Sequence, residues 1–144
     1  MRLQSFMEEA GKGSCLAIDY IYIALAIVNP DFETMDDIDK DVAIFQCLEL
    51  AVLNKYVDED FYVPNAPKLM NYLTGKKVNV YKMEINGCTE LPLNKWSAVG
   101  FDYNSKRHFV VGFGTKIIYD SLDNSNCRKY GKPTTARIVE VVNE

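Results

Sequence analysis

The run CLAIDYIYIALAIV, residues 15 to 28, constrains the fold more than any other stretch of this sequence. Its apolar side chains recur on nearly every side of a helical wheel, and a helix that is apolar all round has to be enclosed by other elements. Ser14 suits the N-cap ahead of it, and Pro30 disfavours helix in Asn29, so a central helix is expected to open at Cys15 and stop at Asn29-Pro30. Asp19 interrupts the run, which is also shorter than the roughly 20 residues a bilayer span needs. No membrane partner is expected.

The covering layers have to come from the rest of the chain, and its periodicity changes once. RLQSFMEEA has helical spacing ahead of a GKG break, MDDIDKDVAIFQCLELAVLNKY places Val42, Ile44, Phe45, Leu48, Val52 and Leu53 at helical intervals, and APKLMNYLTG ends at Gly75. A short extended piece, FYV, is expected between the last two. After Gly75 the pattern alternates with the period of a strand, in KVNVYKMEI, KWSAVGFDY, RHFVVGF, KIIYD and ARIVEVV. DNSNCRKYGKP reads as a polar loop. Helices first and strands afterwards is the α+β pattern, one domain over 1–144, mainly helical to residue 75 and an antiparallel sheet from 76. A chain of 144 residues can bury a core of its own without staples.

Charge and cysteine usage narrow the function classes. A net charge of -4 argues against nucleic acid, whose binding is driven by Lys and Arg releasing counterions. The four cysteines, Cys15, Cys47, Cys88 and Cys127, form no C-x-x-C pair and share a single histidine, so zinc is not expected, and the thiol chemistry considered below needs no metal or organic cofactor. MRLQSFMEEAGKG lacks the apolar core of a secretory signal, which points to a reducing cytoplasm and free thiols. The acidic MDDIDKD lacks the glycine and closing glutamate of a calcium loop and reads as a capped helix start, with its aspartates where the helix dipole favours them.

Two residues carry the candidate chemistry. Cys15 stands in the first turn of the central helix, where unsatisfied amides stabilise a thiolate and its own N–H can face an oxyanion. His108 is the only histidine and opens the strand HFVVGF, from which it can take the thiol proton. Each also has a plainer reading, Cys15 as a small apolar residue at a helix start and His108 as a histidine at a strand rim. A third group must hold the ring, and strand register decides which. A three-residue loop Phe113-Gly114-Thr115, or a bulge that restores the register, brings Asp120 to His108, whereas a regular two-residue Gly114-Thr115 turn sets Ser121 there. A three-residue loop Asn104-Ser105-Lys106 sets Asp102 opposite His108 from the other side.

The order of these residues, GSCLA at the start of the main helix, then HFVVG on one strand and YDS ending the next, resembles the papain-like cysteine peptidase superfamily. It is closest to the compact bacterial branch that includes the bacteriocin-processing peptidases, and to bacterial domains of unknown function built on the same plan. The resemblance implies a papain-like fold with Cys15 as nucleophile, His108 as general base and Asp120 orienting the ring, acting on a peptide or other amide substrate. Such peptidases place a glutamine about six residues before the cysteine to donate into the oxyanion hole. Glu9 occupies that position here, and its carboxylate has no proton to give, while Gln4 on the preceding helical stretch is the nearest glutamine. The alternatives are a catalytically silent papain-like binding module, and an acyltransferase or transglutaminase-like enzyme using the same three residue types.

Overall fold

A computed structural model describes residues 15–86, 91–121 and 126–142. The helical stretch anticipated ahead of residue 11, and with it Gln4, Glu9 and Ser14, lies outside the described residues, as does Cys88. The described chain is α+β, with helices before residue 75 and a five-stranded antiparallel sheet after it.

The central helix, α1, runs Cys15–Val28 and is buried from Ala17 to Ala24. Its enclosure accounts for its sequence: Ile18, Ile21, Tyr22 and Ile23 show no exposed surface, and each such side chain contributes roughly 1.5–3 kcal/mol by leaving water. A 3₁₀ turn, Phe32–Thr34, follows. Helix α2, Asp37–Leu53, opens with Asp36 accepting a hydrogen bond from the Asp39 amide at 2.8 Å, the capped start its acidic sequence suggests. Helix α3, Ala66–Thr74, is capped by Asn65 and ends at Gly75, whose φ of 67° is the left-handed stop expected of glycine.

One expectation fails in this half, and one helix is less enclosed than its apolar residues allow. FYV is not extended: the Asp58 side chain accepts hydrogen bonds from the Asp60 and Tyr62 amides, folding the segment into a loop in which Phe61 takes a φ of 65°. Helix α2 buries only Ile44, Leu48 and Ala51, leaving Val42, Phe45 and Leu53 exposed. Helical spacing marked apolar positions without saying how wide a stripe the partner would cover.

The strands are β1 (Val78–Glu84), β2 (Trp96–Tyr103), β3 (Lys106–Phe113), β4 (Lys116–Tyr119) and β5 (Lys132–Val141), and their order across the sheet is β1-β5-β2-β3-β4. The presumed loop around Cys127 contains a short helix, α4, Asn126–Tyr130, which buries that cysteine. Alternation gives the sheet two apolar faces. Val78, Val111, Tyr119 and Val139 pack with α1, α2 and α3 on one, and Val99, Phe101 and Val110 pack with Cys127 on the other.

Tyr22 is the joint between helices and sheet. Its ring lies edge-on to Phe32 at 4.9 Å and stacks on Tyr119 at 4.5 Å, while its hydroxyl accepts from Lys40 Nζ at 3.3 Å. Tyr119 in turn donates its hydroxyl to Asp41 of α2 at 2.9 Å. The end of β4 is thereby tied to two helices at once.

Candidate active site

The candidate site begins where β4 ends. His108 and Asp120 meet side chain to side chain, with His108 Nε2 and Asp120 Oδ1 2.6 Å apart. A carboxylate has no proton to give, so Nε2 donates and Nδ1 is the basic nitrogen of the neutral ring. His108 is 4% exposed and Asp120 half-buried.

Register explains how they meet, by the bulge that restores it. The turn from β3 to β4 has only two residues, Gly114 and Thr115, since Phe113 pairs with Lys116 and Gly112 with Ile117. The next pairing is Val111 with Tyr119, so Ile118 is an extra residue, a β-bulge. The bulge changes the parity of everything after it. Tyr119 turns towards α1, and Asp120 turns to the opposite face, which His108 shares with Val110.

Asp102 does not fill the same role. The β2–β3 turn has two residues, Asn104 and Ser105, with φ of 50° and 65°, and Asp102 pairs with Arg107 while Phe101 lies opposite His108. The Asp102 carboxylate accepts from Arg107 Nε at 2.6 Å and Nη2 at 2.9 Å, and from Thr134 Oγ1 at 2.8 Å. The Arg107 guanidinium beside it and the Thr134 hydroxyl hold its carboxyl below the usual range. The three-residue Asn104-Ser105-Lys106 loop is therefore corrected to a regular hairpin, and Asp102 to a structural ion pair.

Cys15 is the first residue of α1 and half-buried. Cys15, Cys47 and Cys127 are thiols. Burial pushes the half-buried Cys47 thiol up, which disfavours its reactive form.

One residue of the site escaped the sequence reading. Asp19 stands one helical turn after Cys15, on the same side of α1, with no exposed surface. Among the described residues neither of its carboxyl oxygens has a hydrogen-bond partner. Loss of water first, and the charge of Asp120 second, drive its carboxyl well above the usual range. The charge of Asp120 is therefore felt at Asp19, one turn into α1. The sequence signal for it is an aspartate that interrupts an otherwise apolar helix.

Among the described residues no group of three or more histidine, cysteine or acidic side chains is placed to hold a metal ion, and no helix is long and apolar enough to cross a membrane. No family model, curated protein or solved structure matches the chain.

Proposed function

We propose that the chain is a cysteine peptidase or amidase of papain-like plan, with Cys15 as nucleophile, His108 as general base and acid, and Asp120 as the group that orients His108. The observation that carries the reading is the 2.6 Å contact between His108 Nε2 and Asp120 Oδ1, which commits one ring nitrogen and leaves Nδ1 as the base. A buried histidine held by a carboxylate delivered through a bulge is more than a strand-rim residue needs. Helix α1 lies on the other face of the sheet, so the reading requires its first residue to meet Nδ1 around the sheet margin beside β4. The action of Asp120 on Asp19 supports that approach.

In this mechanism Nδ1 takes the Cys15 thiol proton and the thiolate attacks the carbonyl carbon of an amide. The positive end of the α1 dipole and the backbone amides of its first turn favour the thiolate and the developing oxyanion. The tetrahedral intermediate expels the amine, which leaves with the proton held on His108, and a thioester remains on Cys15. Water then attacks the thioester, giving its proton to His108, and the carboxylic acid departs as the thiol is restored.

The test is covalent trapping with a peptidyl acyloxymethyl ketone, read by mass spectrometry of the digested protein. Modification at Cys15, lost in Cys15→Ala and slowed at least about a hundredfold in His108→Ala, is the expected result. Equal labelling with and without His108 would overturn the mechanism.

A further inference from the structure

A second concave feature adjoins Cys15 on the neighbouring side of α1. Successive residues of a helix are turned by about 100°, so Cys15 and Asp19 form one stripe of α1 and Leu16 and Tyr20 the next. Leu16 and Tyr20 line a pocket of about 360 Å³ whose other walls include Ala66 at the start of α3, Val80 and Lys82 of β1, and Arg137 of β5. The pocket therefore starts at the residue after the proposed nucleophile.

Its walls are apolar on one side and cationic on the other. Lys82 and Arg137 are directly opposite each other in the β1–β5 ladder, and like charges in that arrangement repel. Lys82 has an exposed partner, Glu84, at 3.2 Å. Arg137 is half-buried, lies over the Phe109 ring at 5.9 Å, and has no acidic partner among the described residues. Tyr20 lies beside it, and burial pushes its phenol up to about 12, so the hydroxyl keeps its proton and stays a donor near neutral pH. An arginine fork and a hydroxyl set over an aliphatic floor match a carboxylate on a short methylene arm.

We infer that this pocket is a specificity subsite for a glutamyl side chain on the acyl side of the scissile amide, with Arg137 as the carboxylate receptor and Leu16 and Val80 packing the methylenes. The inference rests on the peptidase reading for its link to turnover, and on the pocket alone for binding.

Two measurements separate these dependences. Blocked tetrapeptide amides of a fluorogenic amine, carrying Glu, Gln or Leu at each of the three positions upstream of the acylated residue, are assayed with the wild type, Arg137→Met and Arg137→Lys. At one position Glu is expected to exceed Gln in kcat/KM by at least about tenfold, a preference abolished by Arg137→Met and partly kept by Arg137→Lys. The corresponding peptide carboxamides are titrated calorimetrically into Cys15→Ala protein, with and without Arg137→Met, after thermal melts establish that each variant is folded. Arg137-dependent binding of the glutamyl peptide without turnover by the wild type upholds the subsite and overturns the peptidase reading. Absence of a Glu preference in both experiments, or a preference that survives Arg137→Met, overturns the subsite.

Discussion

Tyr119 and Asp120 are neighbours in sequence that serve opposite faces of the sheet. Tyr119 stacks on Tyr22 of the central helix, and Asp120 meets His108 on the far side. The stacking, together with the hydrogen bond from Tyr119 to Asp41, fixes the backbone from which Asp120 projects. The helical half thus helps position the Asp120 carboxylate through that ring.

The two aspartates that compete for His108 in the sequence separate by experiment. Asp120→Ala is expected to lower kcat/KM by about 10²–10⁴-fold, the usual range when a catalytic histidine loses its orientation or its base function. Asp102→Ala is expected to leave kcat/KM within about threefold and to cost no more than about 1 kcal/mol, because its ion pair with Arg107 is about two-fifths exposed. The contribution of Asp102 is present above the unfolded carboxylate pKa of about 4 and is lost as pH falls through its depressed folded value. Steady-state assays and acid melts of the two variants decide, and a larger kinetic loss in Asp102→Ala would reverse the assignment.

Thiol reactivity gives an independent measure of the nucleophile. Limited iodoacetamide treatment of the folded protein near neutral pH should modify Cys15 at least about tenfold faster than Cys47, whose thiol burial holds in the protonated form, and faster than the buried Cys127. Peptide mass spectrometry gives the order. Faster labelling of Cys47 or Cys127 is incompatible with an activated thiol at the start of α1.

Asp19 should write its protonation into the stability curve. Its folded carboxyl lies well above the usual range, so below about pH 4 both folded and unfolded states hold the proton and no penalty arises. As pH rises from there towards the folded value, only the unfolded state releases its proton, and stability falls by up to about 1.4 kcal/mol per pH unit. Asp19→Asn has no proton to lose. Urea melts between pH 4 and pH 8 should show the variant gaining on the wild type as pH rises, and parallel curves would mean that Asp19 is ionised inside the fold.

Gly131 joins α4 to β5 where two backbone segments touch. A Cβ there would run into the carbonyl oxygens of Cys127 and Asp102, and neither can withdraw as a flexible side chain would. Gly131→Ala should cost more than about 3 kcal/mol, measured by chemical denaturation, whereas Gly75→Ala has open space around the new methyl and pays only for its left-handed φ.

The division into helices and then strands was legible from periodicity, and so was the central helix, because burial on all sides from Ala17 to Ala24 leaves an apolar residue at nearly every position. Register was not legible. Ile117 and Ile118 are chemically alike, and nothing in KIIYD marks Ile118 as the residue the ladder skips, so Asp120 could be placed only as one of several possibilities. The fold of Asn126–Tyr130 was hidden by its polar residues, since a single buried cysteine carries no period. Asp19 was visible as an exception to the apolar pattern, but its lack of a partner depends on what surrounds it, which only tertiary structure specifies.

The position of β5 between β1 and β2 sets an order on the birth of the fold. Lys132–Val141 is translated after every strand it joins, and among the described strands β1 has no other neighbour. On the ribosome, the hairpins from β2 through β4 can pair locally and bring His108 to Asp120 while β1 still waits with an open edge. Closure comes as a single late event, when β5 slides between partners that were synthesised earlier. The wall that carries Arg137 is therefore finished after the residues that would perform the chemistry.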